Sequence, residues 1–151
     1  MSIFHGMNTS GSALTANRFK MDVVSSNIAN ADTTRAELNE DGEWEPYRRK
    51  LVSQEPKDSS FNSFLQKSMK QTNTPGNGVR IQSVVEDQSP FEQVYNPSHP
   101  DANEEGYVEM PNVDPLKEML DLMSTTRAYE ANVTALNASK GMLMKSLEIG
   151  K

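Results

Sequence analysis

The chain has 151 residues, no cysteine, a mean hydropathy of −0.68 and a net charge of −6. Its length is one domain's worth, and an apolar share of 35 % is lean against the roughly 45–50 % of globular chains, so a large self-contained core is not expected. The missing cysteine excludes disulfides, thiolate metal sites and a Cys nucleophile, and no apolar run approaches the ~18 residues of a membrane-spanning helix.

The acidic excess is local. Residues 71–112 carry seven carboxylates against Arg80 alone, while the ends are close to neutral. Neutral ends suit packing and an acidic middle suits solvent, so nucleic-acid binding is disfavoured. The first residues have neither a basic nor an apolar signal region, so a cleaved secretory signal is not expected. That points to the cytoplasm or to an export route that needs no such signal.

Ile3, Met7, Ser10, Leu14, Asn17, Met21, Val24 and Ile28 alternate in steps of four and three, a helical stripe that is apolar at six positions. Gly6 and Gly11 each weaken a helix by about 1 kcal/mol relative to Ala. The helix is therefore expected to be firm from about Ser12 to Asn30 and frayed before that. Asn30-Ala31-Asp32-Thr33-Thr34 is polar and ends it. A strand is predicted from Trp44 to Ser53, with Arg48-Arg49-Lys50 as a solvated strand edge. Residues 57–78 read as a linker around Pro75-Gly76, interrupted by a short amphipathic turn at Phe61, Phe64 and Leu65. A second strand is predicted over Gly78 to Glu86. Pro90 to Pro111 contains four prolines and reads as extended loop, with strand pieces at Val94-Tyr95 and Tyr107-Val108.

The last segment carries the strongest helix signal. Asp114 suits an N-cap, Pro115 the first helical position and Gly150 the position past the end. Its stripe runs through Met119, Leu122, Thr126, Tyr129, Val133, Leu136, Lys140, Leu143 and Leu147. Leu116, Leu120, Met123, Met142 and Met144 lie off that stripe, which suggests contact with more than one partner helix. The fold class that follows is mainly α with a small β insert. The two long terminal helices would pair as a coiled-coil-like layer, and a short-stranded, loop-rich lobe would lie between them. The stripe side chains bury too little to offset the ordering of both helices in isolation, so the ends are expected to need neighbours and to be partly unfolded in the free chain. From periodicity alone the alternative is a soluble coiled-coil adaptor or dimerisation module.

Catalytic constellations are weak. His5 and His99 are the only histidines, and neither stands near a nucleophile-elbow turn. His99 with Asp101 and Glu104 supplies too few ligands for a metal site. A Pro-fixed turn at His99-Pro100-Asp101, with Asp101 bonding backbone amides, is the favoured reading there.

A set of ordered motifs is more specific. Ser25-Ser26-Asn27-Ile28-Ala29-Asn30-Ala31-Asp32-Thr33-Thr34 closes the first helix. Ser89-Pro90-Phe91, Val94-Tyr95-Asn96-Pro97, His99-Pro100-Asp101-Ala102, Gly106-Tyr107-Val108 and Pro111-Asn112-Val113 follow in order. Arg127-Ala128-Tyr129-Glu130-Ala131-Asn132-Val133 and Leu147-Glu148-Ile149-Gly150 complete the set. Together they resemble the bacterial flagellar axial proteins of the rod and hook, over about two thirds of the chain. The resemblance implies a structural subunit of the flagellar basal-body proximal rod, stacking helically through its terminal helices to transmit torque. Residues 1–31 and 113–151 would form the axial core and residues 32–112 an insert. The implied partners are other rod proteins, further copies of the chain and the flagellar type III export apparatus. The implied location is the basal body, in the cell envelope outside the cytoplasmic membrane. No enzymatic activity, cofactor, metal, nucleic acid or small-molecule substrate is implied. Subunit packing is expected from Ile3, Met7, Leu14, Met21, Val24, Ile28, Met119, Leu122, Tyr129, Val133, Leu136, Leu143 and Leu147. The matched family positions are Ser26, Asn27, Ala29, Asn30, Thr33, Thr34, Arg127, Tyr129, Glu130 and Asn132.

Overall fold

The computed structural model describes residues 4–39, 42–57 and 77–149, so Ile3 and the turn at Phe61, Phe64 and Leu65 lie outside the described residues. Among the described residues are two long helices, α1 (His5–Ala29) and α2 (Pro115–Ile149). Among the described residues six short strands lie between them, in three two-stranded sheets. β1 (Glu37–Leu38) pairs antiparallel with β2 (Trp44–Glu45), and β3 (Lys50–Pro56) pairs with β4 (Val79–Glu86). β5 (Glu92–Tyr95) pairs antiparallel with β6 (Tyr107–Met110), setting Val94 opposite Val108. The chain is mainly helical with a small β insert, as its sequence pattern implies.

α1 begins at His5, well before the firm start expected near Ser12, and runs unbroken through Gly6 and Gly11. Tertiary packing overrides the glycine penalty, because Met7 and Leu14 are half-buried on that stretch. At the other end the Asn30 side chain donates to the Ser26 carbonyl (2.9 Å), and the Asn30 amide bonds the same oxygen (3.1 Å). α2 starts as its sequence dictates. The Asp114 Oδ1 accepts the Leu116 and Lys117 amides at 2.9 and 3.3 Å, and Pro115 takes the first position, where no amide is needed.

The strand expected from Trp44 to Ser53 is broken into β2 and β3. Pro46 has no N–H to give a ladder, and the next groups bond elsewhere. The Tyr47 amide donates to the Thr33 carbonyl at 3.0 Å, and the Arg49 amide to the Asn112 side chain at 2.8 Å.

Contacts divide the chain into two compact units. The first comprises Met1–Lys20, Ser53–Ser83 and Thr125–Lys151, and the second Met21–Val52 and Val84–Ser124. Among the described residues the second unit holds the larger core: Val24, Tyr47, Val108 and Val113 are buried there, along with Asn27 and Glu118. In the first unit Ala16 is the buried apolar side chain and Thr125 the buried polar one. That unit is tied together at Gly78, whose φ of +101° suits glycine. A Cβ there would stand 2.1 Å from the Ser12 Oγ, which accepts the Val79 amide at 3.2 Å.

Candidate assembly surface and the clasp beneath it

Asn27, near the end of α1, is 1 % exposed and uses every hydrogen-bonding position of its amide. Its Nδ2 donates to the Lys50 carbonyl (2.9 Å) and to the Glu118 Oε2 (3.0 Å). Its Oδ1 accepts the Lys50 amide (3.0 Å) and the Tyr47 hydroxyl (3.0 Å). Lys50 opens β3, and Asn27 holds both its backbone groups as a neighbouring strand would.

Glu118 is equally buried. Its Oε1 accepts the Arg49 Nε at 2.7 Å, and the Arg49 Nη2 lies 2.5 Å away. Arg49 also lies 3.6 Å from Asp87 and 3.9 Å from Asp121. Asn112 completes the clasp by donating to the Asp87 and Ser89 carbonyls, each at 3.1 Å. The Ser89 hydroxyl and amide hold the Asp87 carboxyl below the usual carboxylate range, with the charge of Arg49 adding to the effect. Among the described residues no buried side-chain N or O atom lacks a partner.

The clasp corrects one expectation. Arg49 is not part of a solvated strand edge: its side chain is 13 % exposed and ion-paired. Its neighbours are also engaged. The Arg48 guanidinium lies 4.3 Å from the Phe91 ring centroid, and the Lys50 ammonium 5.5 Å from that of Tyr47. Glu118 and Arg49 escape a sequence reading because a carboxylate in the first turn of a helix is already explained by the helix dipole. The available signal is spacing, since Glu118, Leu122, Thr125 and Tyr129 continue one inward face.

That face keeps the heptad spacing and shares Leu122 and Tyr129 with the expected stripe, but takes Glu118 and Thr125 as its buried positions. Met119, Lys140 and Leu147 of the expected stripe are exposed in the single chain, while Glu118 and Thr125 beside it are buried. Of the other stripe residues, Val24 is buried and Met7, Leu14, Met21, Ile28, Leu122, Tyr129, Val133, Leu136 and Leu143 are half-buried.

Part of what remains open on α2 is apolar. In the second unit Leu116, Met119, Leu120 and Met123 stand at helical spacing on one face of α2, with Leu116 70 % and Leu120 61 % exposed. In the first unit Met142, Met144, Leu147 and Ile149 are exposed on the last turns. The first four side chains share one face, and apolar surface gathered in this way marks an interaction site.

The family positions serve several ends. The Ser26 hydroxyl is 3.5 Å from that of Tyr47, and the Thr33 hydroxyl donates to the Asn30 Oδ1 at 3.2 Å. The Thr34 hydroxyl donates to Asp101 at 2.9 Å, and the Arg35 Nε to the same carboxylate at 2.7 Å. Asp101 thus bonds two side chains rather than the backbone amides expected for it. Arg35 and Thr34 hold its pKa below the usual range, against partial desolvation. Its own amide donates to the His99 Nδ1 at 3.2 Å. Ala29, Arg127 and Glu130 are exposed and Tyr129 is half-buried. Asn132 turns back to the Ala128 carbonyl at 2.8 Å. Among the described residues no group of three or more His, Asp or Glu is placed to hold a metal.

Two long terminal helices, a thin core and open apolar helix faces define a class: a chain shaped to pack against other chains. Comparison with known proteins makes the class specific. Residues 7–36 match the family described as flagella basal body rod protein, and residues 104–149 the family described as flagellar basal body rod FlgEFG protein C-terminal. The chain is 62 % identical to the flagellar basal-body rod protein FlgC of Bacillus subtilis, over the full length of both. It is 40 % identical to that of Borreliella burgdorferi over 99 % of this chain and 98 % of the relative. It is 38 % identical to that of Salmonella typhimurium over the whole of both chains. The chain belongs to the flagellar basal-body rod protein family.

Proposed function

We propose that the chain is a structural subunit of the flagellar basal-body rod and has no catalytic role. The observation that carries this reading is the apolar surface left open on α2, at Leu116, Met119, Leu120 and Met123 and again at Met142, Met144, Leu147 and Ile149. Its relatives are rod proteins by name, and the open faces are what a subunit needs to build one.

Residues 1–31 and 113–151 form the axial layer, residues 32–112 form an insert, and an open, head-to-tail contact propagates a helical array. Neighbours are further copies and other rod proteins, and torque passes through packed helices. The subunit leaves the cytoplasm through the flagellar type III apparatus and works in the basal body, in the cell envelope outside the cytoplasmic membrane. A discrete dimeric adaptor is not favoured, since the full-length relatives carry the name of rod proteins.

Replacing Leu116 and Leu120 together by Lys tests the reading. Both side chains are exposed, so the free chain should keep its helix content and unfolding midpoint. Cells carrying the variant should lose the rod and swimming. Normal rods and motility in the variant would contradict the proposed role of this face.

A further inference from the structure

The second compact unit contains a groove of about 440 Å³ whose chemistry the rod role does not use. Trp44, the single tryptophan of the chain, and Tyr107 line it, and they are 55 % and 40 % exposed. The Tyr107 ring is held edge-on against Tyr95, with centroids 5.3 Å apart and planes at 65°. Three carboxylates lie along the same groove: Glu43, Asp101 and Glu109. Asp101 is matched by Arg35 and Thr34. Glu43 and Glu109 have no ion-pair partner among the described residues. Glu43 precedes Trp44, and Glu109 shares the face of β6 that carries Tyr107.

Exposed aromatic faces beside unmatched carboxylates select a guest by charge. A neutral apolar group would cover the rings but strip water from two anions. An anion would be repelled. A sugar ring could stack on the aromatics but would leave the charge unmatched. A guanidinium meets both demands, because its plane stacks on a ring while its N–H fork pairs with a carboxylate. The chain uses this chemistry on itself nearby: Arg48 sits over Phe91 and reaches Glu45 at 3.9 Å.

We propose that the Trp44–Tyr107 groove receives an arginine side chain presented by a neighbouring protein chain. The neighbour follows from the rod reading, but the groove's preference for a guanidinium does not depend on it.

Trp44 reports on its own site, so the test is a fluorescence titration of the free, full-length protein. Three probes are compared: an end-blocked Gly-Arg-Gly peptide, the same peptide with citrulline for arginine, and a chito-oligosaccharide. The arginine peptide should give a saturable change that weakens as salt is raised. Its midpoint should rise at least tenfold with citrulline, which has nearly the same shape without the charge, and likewise in E43Q/E109Q. Both replaced carboxylates are exposed, so that variant should unfold like the parent. The proposal is overturned if arginine and citrulline peptides act alike or if E43Q/E109Q responds as the parent does. It is equally overturned by a saturable response to the sugar alone, or by none to the arginine peptide. A chain absent from the rod would refute the assembly reading and leave the titration result standing.

Discussion

Asn27 replaces a strand partner with one side chain, and that substitution has a testable cost. Asn27→Ala strands the Lys50 amide and carbonyl, the Tyr47 hydroxyl and one Glu118 oxygen at a buried point. A loss of about 2–3 kcal/mol is expected. Glu118→Ala leaves Arg49 largely buried without its closest counter-charge and should cost about 3 kcal/mol or more. Glu118→Gln, which keeps the shape and an acceptor, should cost less. Urea unfolding reads all three as shifts in midpoint at constant slope, and an Asn27→Ala midpoint equal to the parent's would refute the clasp. Gly78→Ala combines a left-handed backbone with a Cβ driven into Ser12, so it should destabilise by more than about 1 kcal/mol. The pH dependence follows from Asp87 and Asp101, whose folded pKa values are depressed. A carboxyl lowered in the folded state contributes fully above its unfolded value of about 3.9 and loses that contribution as pH falls through the folded value. Stability should therefore drop below about pH 4, and Asp101→Asn should flatten part of that drop in acid unfolding curves.

The helices were the most legible elements and the strands the least. Asp114, Pro115 and the apolar periodicity fix α2 from local chemistry alone, and the structure follows them. Asp114→Ala should cost about 1 kcal/mol by freeing the Leu116 and Lys117 amides, seen as a lower thermal midpoint with fraying at the start of α2 in amide exchange. The early start of α1 was hidden, because Gly6 and Gly11 argue against a helix that packing then stabilises. β2 and β3 look like one strand in the sequence because the break at Pro46 depends on partners far along the chain, Thr33 and Asn112. The burial of Arg49 is hidden for the same reason: nothing adjacent to it reveals Glu118, which lies 69 residues away. The burial of Glu118 and Thr125 is hidden because an apolar repeat does not mark polar positions.

At the scale of the whole molecule, the balance between buried and open apolar surface is the physical argument for assembly. The second unit has a core and a saturated polar clasp; the first, among its described residues, buries Ala16 and little else that is apolar. Leu147 and Ile149, 74 % and 80 % exposed, gain stability only if something covers them. The family positions at Asn27 and Thr34 organise the subunit itself, through Lys50, Glu118 and Asp101, while the exposed positions at Arg127 and Glu130 remain open to neighbours. The most direct test is to image isolated basal bodies built with this chain carrying a small electron-dense tag in the 57–78 segment. The account predicts label along the rod in motile cells. Motile cells whose rods carry no label would contradict it.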